Sequence, residues 1–407
     1  MRRVLVIGGG IAGLTAALSA ARAGADATLL QVGQGAHHLF SGCVDVLTYP
    51  QADGEAVAQP LTALADLCDD HPYAKVGVEA VREALAEFKQ IVGEQDLTYV
   101  GDGENQKRVL TAMGTFRHTA LTPATMAIDP AEIDVVCGLA HFRNFAESMI
   151  AAELSRRIGR PVKTLLFTLE KGRRDAVGIS SRLRREEEFS ALAEFLAAEA
   201  KGATVALPAV LPVENAEAIK AQIEEHFGGR LVEVPGLPPS LAGLRLMKAL
   251  RRAALDASVA SVPNARAIGP VEENGRIVGI NVQTGNVSRE LRTDAIVLAT
   301  GHLVGGGLVS ARGRLREAVF GLPLRGWSRG PFFAERFLAT EGHPVLQAGV
   351  PVDAHLHPVK DGGAVCRNLY ACGDILAGFD PYRERSGGGV ALSTGMVAGR
   401  LAARGES

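Results

Sequence analysis

The sequence has few cysteines, little net charge and no long apolar run, and each shortage excludes a class of protein. Its five cysteines are scattered along 407 residues, which favours a reducing compartment over a disulfide framework. Lys and Arg number 43 against 45 Asp and Glu, so the basic excess of a nucleic-acid-binding protein is missing. No uninterrupted apolar run approaches the roughly 20 residues of a membrane-spanning helix. These shortages predict a cytoplasmic protein that binds no nucleic acid and does not itself span a membrane.

Motifs of several enzyme classes are also absent. There is no Gly-x-Ser-x-Gly elbow, no His-Glu-x-x-His pair and no P-loop, so hydrolase, metalloprotease and kinase chemistry find no support. Cys366 and Cys372 lie close together, but the five residues between them match no common zinc or iron–sulfur spacing. We therefore expect no metal site in this chain.

The amino-terminal segment 4–31 allows two interpretations. Its basic and apolar start is compatible with an export signal, but three glycines interrupt the hydrophobic core. In a dinucleotide site, Gly8 allows the tight turn, Gly10 lets the backbone approach a pyrophosphate, and Gly13 lets helix and strand pack closely. The free N–H groups of the helix then complement a phosphate. This spacing, with Gly9 in the same loop, predicts the first βαβ unit of a dinucleotide-binding fold.

Gln31 departs from the usual pattern. Dinucleotide sites commonly place Asp or Glu at the end of the second strand, where the carboxylate binds the adenosine ribose hydroxyls. An amide can also bond to a ribose, but less strongly than a carboxylate. Two alternatives stay open at this point: a dinucleotide with a weaker ribose contact, or a mononucleotide without adenosine.

The segment "DAIVLATGHLVGGGL" (294–308) favours a flavin over a nicotinamide cofactor. It predicts a strand that ends in an Ala-Thr-Gly run containing Thr300 and Gly301. Such a return strand is frequent in flavoproteins of the two-dinucleotide type.

The segment "NLYACGDILAGFDPYRERSGGGVALSTGMVAGRLAA" (368–403) supports the same cofactor. A strand here is followed by Gly373 and Asp374, and the aspartate can accept hydrogen bonds from ribityl hydroxyls. The next helix opens with three glycines whose N–H groups can face the pyrimidine edge of the isoalloxazine. A positive helix end there stabilises negative charge on the reduced flavin. These glycines are Gly387, Gly388 and Gly389.

The order of these motifs predicts an α/β fold. We expect a Rossmann-like flavin-binding domain of the two-dinucleotide type, interrupted by an inserted α/β cap domain. The predicted boundaries are 1–70 and 241–407 for the two parts of the flavin-binding domain and 71–240 for the insertion. The cleft between the two domains is the expected substrate or electron-exit site.

Taken together, the segments resemble the B subunit of the anaerobic, quinone-linked glycerol-3-phosphate dehydrogenase complex. The similarity spans nearly the whole chain, and the run "GFDPYRERSGGGV" is more specific than the shared glycine loop. Besides that loop, the resemblance rests on "SGCVDVL" (41–47), "MGTFRHT" (113–119), "LPPSLAGLRL" (237–246), "LATGHLVGGGL" (298–308) and "NLYACGDILAGFDPYRERSGGGV" (368–390).

The resemblance implies a flavoprotein that works with a larger, catalytic and flavin-containing A subunit and with an iron–sulfur C subunit that is the membrane anchor. Together they oxidise sn-glycerol 3-phosphate to dihydroxyacetone phosphate and pass electrons towards quinone. It implies FMN for this chain, in agreement with Gln31, and FAD is the alternative because the glycine loop is that of FAD proteins. Association with the membrane would come through one of these partners.

The resemblance also implies site residues. The expected cofactor contacts are Gly8, Gly9, Gly10, Gly13, Gln31, Ser41, Gly42, Thr300, Gly301, Gly373, Asp374, Gly387, Gly388 and Gly389. Arg117 can bind a phosphate or stabilise an alkoxide, and Asp380 and Glu384 are acidic candidates, with Glu384 as a base or an orienting group. For each of these three, a structural ion pair is the alternative.

Two other functions stay open. The chain can be a flavin scaffold or electron relay whose partner oxidises the substrate, or a stand-alone flavin-dependent dehydrogenase of another hydroxy acid.

Overall fold

The structure is a computed structural model that describes residues 1–50, 54–169, 175–274, 276–327 and 330–405. Within these ranges the α-helices are α1 (Ile11–Arg22), α2 (Pro60–Ala63), α3 (Pro72–Val76), α4 (Val78–Gly93), α5 (Glu147–Ile158), α6 (Ala176–Arg182), α7 (Glu186–Glu199), α8 (Ala216–Phe227), α9 (Leu241–Asp256) and α10 (Gly387–Arg404).

The strands in the same ranges are β1 (Arg3–Ile7), β2 (Asp26–Leu30), β3 (Tyr99–Val100), β4 (Lys107–Leu110), β5 (Phe116–Thr119), β6 (Thr122–Pro123), β7 (Val135–Leu139), β8 (Lys163–Phe167), β9 (Thr204–Pro208), β10 (Arg230–Val234), β11 (Ala260–Val262), β12 (Arg266–Glu273), β13 (Arg276–Thr284), β14 (Val287–Arg292), β15 (Ala295–Leu298), β16 (Leu308–Ala311), β17 (Arg314–Glu317), β18 (Val359–Lys360), β19 (Gly363–Ala364) and β20 (Leu369–Ala371).

The first sheet is parallel and has the order β11-β2-β1-β15-β20. Its central strand β1 is the aliphatic run at the amino terminus, and Val4, Leu5, Val6 and Ile7 are all buried because both faces of the sheet are covered. β1 pairs with β2 on one side and with the distant β15 on the other. The sheet therefore brings the carboxyl ends of β1, β15 and β20 to one edge, which confirms the Rossmann-like α/β fold.

Helices α1 and α10 pack closely against each other beside this sheet. Gly395 lies directly over the carbonyl oxygen of Ala12, and Gly399 lies over that of Ala16, so a Cβ on either glycine would overlap α1. Helix α4 packs on α10 with apolar residues at helical spacing, among them Val81. Small residues thus set the distance between α1 and α10.

A second parallel sheet, with the order β10-β9-β7-β8, lies between β2 and β15 along the chain. Helices α5, α7 and α8 accompany it, and its core is formed by buried residues between Leu110 and Leu241. Helices α3 and α4 instead contribute to the core around the first sheet. The predicted insertion of an α/β unit is confirmed, while the division at 71 and 240 stays a prediction.

A buried ion pair joins the second sheet to α9. Arg245 on α9 binds Glu233 at the end of β10, with its Nη2 2.9 Å from Oε1, and both side chains are almost fully buried. Arg245 Nε also donates to the carbonyl oxygen of Pro212 at 3.0 Å. These charges are compensated, which is a requirement for burying them.

No helix in the described part of the chain is long and apolar enough to cross a bilayer.

Candidate functional site

The loop after β1 forms an open cradle for a phosphate. Gly8 has φ +128°, a conformation that favours glycine, and a Cβ there would overlap the carbonyl of Ala299 at the end of β15. Helix α1 starts after Gly10, and no side chain of the described residues caps its first N–H groups. A Cβ on Gly10 would have no protein atom within 4 Å, whereas one on Gly13 would overlap Gly8. The glycine loop therefore leaves its free N–H groups and an open side to a ligand.

Gln31 lies against this loop with its amide already bonded. Its Nε2 donates to Ser261 Oγ at 3.0 Å, and its Oε1 lies 3.4 Å from Nη2 of Arg251. The Cβ of Gln31 would be 2.9 Å from a Cβ on Gly9, so the glycine makes room for the glutamine. The end of β2 thus carries a neutral side chain that is fixed by β11 and α9.

The turn after β15 meets the glycine loop. Gly301 has φ +71°, and the neighbouring Gly305 and Gly307 pack onto the backbone of Thr300 and Gly301. Thr300 Oγ1 is buried and has no hydrogen-bond partner in the described part of the chain. The two motifs that the sequence placed about 290 residues apart therefore share one edge of the sheet, as parallel strands require.

Gly373 and Asp374 form a short 3-10 turn after β20. The N–H of Gly373 donates to Thr394 Oγ1 at 2.9 Å, and a Cβ on Gly373 would be 2.6 Å from the Cβ of Ala12 on α1. Burial raises the pKa of Asp374 to about 6, and no cation among the described residues compensates this effect. A desolvated carboxylate beside the cradle fits the hydroxyl groups of a ribityl chain, which would donate hydrogen bonds to it.

The start of α10 packs on the segment that contains Ser41 and Gly42. The N–H of Gly389 donates to the carbonyl oxygen of Asp45 at 2.8 Å, so this donor is used within the protein. The N–H groups of Gly387 and Gly388 have no acceptor among the described residues and remain available for a ligand.

Ser41 and Gly42 lie in a turn that contacts α9 and β3. Gly42 has φ +88°, and its carbonyl oxygen accepts a hydrogen bond from Tyr99 Oη at 2.5 Å. A Cβ on Gly42 would be 2.8 Å from the Cβ of Ala242 on α9. Ser41 Oγ accepts a hydrogen bond from the N–H of Cys43 at 3.3 Å. These contacts hold the segment in place next to α10.

Arg117, on β5, forms an ion pair with Asp45 through its Nη2 and the carboxylate Oδ2. The Nε of Arg117 and the Oδ1 of Asp45 are buried and have no partner in the described ranges. The pair therefore keeps one donor and one acceptor free close to the start of α10.

Asp380 is 1% exposed and presents one free carboxylate oxygen. Its Oδ1 accepts hydrogen bonds from the N–H groups of Tyr382 and Arg383, both at 3.1 Å. Its Oδ2 is buried and accepts none from the described residues. This geometry fixes the carboxylate and leaves Oδ2 able to take a proton or a hydroxyl hydrogen bond.

Glu384 has no such free oxygen. Its Oε2 lies 3.1 Å from His71 Nε2 and 3.2 Å from Ser386 Oγ, and its Oε1 accepts from the N–H of Asp380 at 3.1 Å. His71 Nδ1 accepts from the N–H of Tyr73 at 3.1 Å, so the ring proton lies on Nε2 and is donated to Glu384. The carboxylate is thus held by several donors, and His71 is a site residue that the sequence did not indicate.

A cavity of about 370 Å³ lies beside these residues. Its lining includes Asp380, Glu384, Arg383, Arg325 and Gln347. Arg383 Nε is buried without a partner in the described part of the chain. The cavity thus has a carboxylate and guanidinium groups among its lining residues, none of which belongs to the second sheet. The substrate site expected between the two domains stays a prediction.

His302, which the sequence did not single out, follows Gly301. Its Nε2 lies 2.8 Å from the carbonyl oxygen of Ala348 and must therefore carry a proton. Burial lowers the pKa of His302, so the ring is neutral near pH 7. The imidazole thus ties the turn after β15 to Ala348, which follows the cavity-lining Gln347.

The chain is similar over almost its whole length to known flavoproteins. A family model described as "FAD binding domain" matches residues 3–390. The B subunit of anaerobic glycerol-3-phosphate dehydrogenase from Pectobacterium atrosepticum is 32% identical over 97% of this chain and 96% of that protein. The protein from Halobacterium salinarum that bears the same name, qualified as "probable", is 33% identical over 98% of this chain and 97% of its own length.

Among solved structures, the open conformation of a flavocytochrome c3 fumarate reductase has a TM-score of 0.46 and 10% sequence identity. The match covers 99% of this chain and 78% of that one. The sequence matches confirm the predicted resemblance and a flavin cofactor. The chain is a flavin-dependent oxidoreductase and belongs to the family of anaerobic glycerol-3-phosphate dehydrogenase B subunits.

Proposed function

We propose that this chain oxidises sn-glycerol 3-phosphate to dihydroxyacetone phosphate and passes the electrons through partner subunits towards quinone. The observation that carries this proposal is that Asp380, whose buried Oδ2 accepts no hydrogen bond from the described residues, lines one cavity together with Arg383 and Arg325. A phosphorylated secondary alcohol needs a proton acceptor for its hydroxyl group and cations for its phosphate. The relatives' name supports the choice of substrate.

Asp380 is the proposed proton acceptor. The backbone N–H groups of Tyr382 and Arg383 fix its Oδ1, so Oδ2 is oriented before the substrate arrives. The hydroxyl proton at carbon 2 passes to Oδ2. A bound flavin supplies the acceptor for the hydride that leaves the same carbon, so the alcohol becomes a ketone. Arg383 and Arg325 bind the phosphate of the substrate.

Glu384 is proposed as a positioning residue rather than as the base. Both of its oxygens are already engaged, and Oε1 accepts from the N–H of Asp380 itself. Glu384 and His71 therefore hold the loop that carries the proton acceptor. Arg117 has a comparable role at the start of α10, where its ion pair with Asp45 keeps that segment against the helix.

For the flavin we propose FAD, in place of the FMN that the resemblance and Gln31 favoured. The description of the family model supports FAD. A second cavity, of about 400 Å³, adjoins the Gln31–Ser261 hydrogen bond and is large enough for a purine. Mass spectrometry of the cofactor released by denaturation tests this choice, and release of FMN would contradict it.

The proposed partners are the catalytic, flavin-containing A subunit and the iron–sulfur C subunit that anchors the complex to the membrane. The name of the relatives, which marks them as one of several subunits, supports the existence of partners. We propose that the chain reaches the cytoplasmic side of the membrane through such a partner. Copurification of the complex from membranes, and its loss when the C subunit is deleted, tests this arrangement.

Anaerobic mixing of the purified, flavin-loaded chain with sn-glycerol 3-phosphate tests the proposed reaction. We expect bleaching of the flavin absorbance, and Asp380→Asn is expected to slow it about a thousandfold while flavin content is unchanged. The matched control is Glu341→Gln, which changes an exposed carboxylate in the same part of the chain.

Bleaching only after the A subunit is added would contradict substrate oxidation on this chain and favour the electron-relay function. Bleaching by other hydroxy acids at equal rates would contradict the proposed substrate.

A further inference from the structure

Arg251 is a partly buried cation without an anion among the described residues. Its Nη2 contacts Gln31 Oε1 at 3.4 Å, and its Nε is buried with no partner in the same ranges. Burial lowers the pKa of Arg251, and no carboxylate in the described part of the chain offsets this effect. Arg22 on α1 and Arg400 on α10 differ in this respect, since each binds a glutamate.

This guanidinium lies beside the glycine loop that follows β1. Gln31 Oε1, which Arg251 contacts, lies against Gly9 in the loop that opens α1. The helix N-terminus beyond that loop has uncapped N–H groups and the positive end of the helix dipole. The guanidinium is therefore linked through Gln31 to the loop at which a negatively charged group would bind.

The neutral residue at position 31 keeps Arg251 free. An aspartate or glutamate at the end of β2 would form an ion pair with Arg251, and its charge would also repel a phosphate on the loop. The amide of Gln31 instead accepts from Arg251 and donates to Ser261, so it orients the guanidinium without neutralising it. Gln31 and Arg251 thus act as one unit.

We propose that Arg251, oriented by Gln31, binds a phosphate of the flavin nucleotide and makes this chain select phosphorylated flavins over riboflavin. The inference concerns cofactor binding and is independent of the substrate proposed above. Arg251 replaces, as a cationic phosphate contact, the ribose contact that a carboxylate makes at the end of β2 in other dinucleotide sites.

Flavin affinity measured by fluorescence titration of the full apoprotein tests the proposal, with FAD, FMN and riboflavin as ligands at low and high salt. Arg251→Met is expected to weaken the binding of phosphorylated flavin tenfold to a hundredfold and to reduce its salt dependence, while riboflavin affinity stays unchanged. Arg251→Lys should keep most of the affinity and Arg251→Gln should not. Arg252→Met, on the same helix and exposed, is the matched control.

A loss for both FAD and FMN places the contact at the riboflavin-side phosphate, and a loss for FAD alone places it at the adenylate phosphate. An equal loss for riboflavin, an unchanged affinity of Arg251→Met for every flavin, or full affinity of Arg251→Gln for phosphorylated flavin would overturn the proposal.

Gln31→Glu sharpens the test, because the new carboxylate is expected to pair with Arg251 and weaken binding. A gain in FAD affinity would instead favour a ribose contact and contradict the proposal. Since removal of flavin can unfold the chain, the flavin-to-protein ratio of each purified holoprotein is the second measurement, and it should fall in Arg251→Met but not in Arg252→Met.

Discussion

Backbone atoms form the edge of the first sheet at which we propose that the flavin binds, whereas side chains form the wall of the cavity beside it. At the edge, glycines leave room for the ligand, and the first N–H groups of α1 and α10 are available to bind it. In the wall, Asp380 and Glu384 are almost completely buried and depend on donors from His71, Arg383 and Ser386. A side chain added at one of these glycines should therefore disturb packing or ligand binding at the edge. Removal of a hydrogen-bond donor should instead destabilise the buried carboxylates of the cavity wall.

Substitutions at two glycines of the same loop test the packing of the edge and its contact with the ligand separately. Gly13→Ala is expected to lower the free energy of unfolding by about 3 kcal/mol or more, because its Cβ would overlap the backbone of Gly8. Gly10→Ala should leave stability almost unchanged, since its Cβ would meet no protein atom, and should instead weaken flavin binding. Urea unfolding of the apoprotein and flavin titration measure the two effects.

Gly13→Ala and Gly10→Ala serve as controls for each other, because only the first is expected to lower stability. Equal loss of stability in both would show that the loop is sensitive to any side chain. Unchanged flavin affinity in Gly10→Ala would contradict the position of the phosphate at this loop.

The edge was predictable because its signals are local. A glycine that is needed for a turn or a close approach leaves a trace in the sequence, as Gly8, Gly13 and Gly373 do. The same holds for β1, whose continuous aliphatic run indicates a strand that is covered on both faces. The fold and the cofactor motifs could therefore be predicted without knowledge of the contacts between them.

The cavity wall was not predictable because its contacts join residues that are far apart along the chain. His71 and Glu384 are separated by 313 positions, and nothing around a single histidine before a proline indicates its partner. The sequence around Arg251 does not indicate its role either, since the feature that carries this role is the lack of an anion among the described residues. Glu384 was expected as a possible base, and only its several hydrogen bonds suggest a positioning role.

Removal of one hydrogen-bond donor from the cavity wall should lower the stability of the protein. His71→Ala deletes the hydrogen bond to the buried Glu384 carboxylate and the acceptor for the N–H of Tyr73. We expect the free energy of unfolding to fall by about 2 kcal/mol, because a charged acceptor loses a buried donor. Chemical denaturation measures this effect, and His355→Ala, at an exposed histidine, is the control.

Flavin content of His71→Ala distinguishes the two regions further. If edge and wall are independent, the variant keeps its flavin and loses turnover because Asp380 is no longer held in place. Loss of flavin at unchanged stability would contradict the separation of the two regions.

Asp374 connects the regions, since it is a side chain at the backbone-built edge, and its charge should make both stability and flavin binding depend on pH. Its pKa is about 6, above the ordinary 3.8 of an aspartate, because burial disfavours the charged form. In the apoprotein this group therefore contributes stability below about pH 4 that is lost as the pH rises through about 6.

Flavin binding should show the opposite trend, because ribityl hydroxyls donate to the ionised carboxylate. The affinity for FAD, whose diphosphate does not titrate in this range, is expected to fall about tenfold for each pH unit below 6. Asp374→Asn should remove this dependence and leave an affinity similar to that of the protonated wild type. A pH-independent affinity of the wild type would contradict a carboxylate contact with the ribityl hydroxyls.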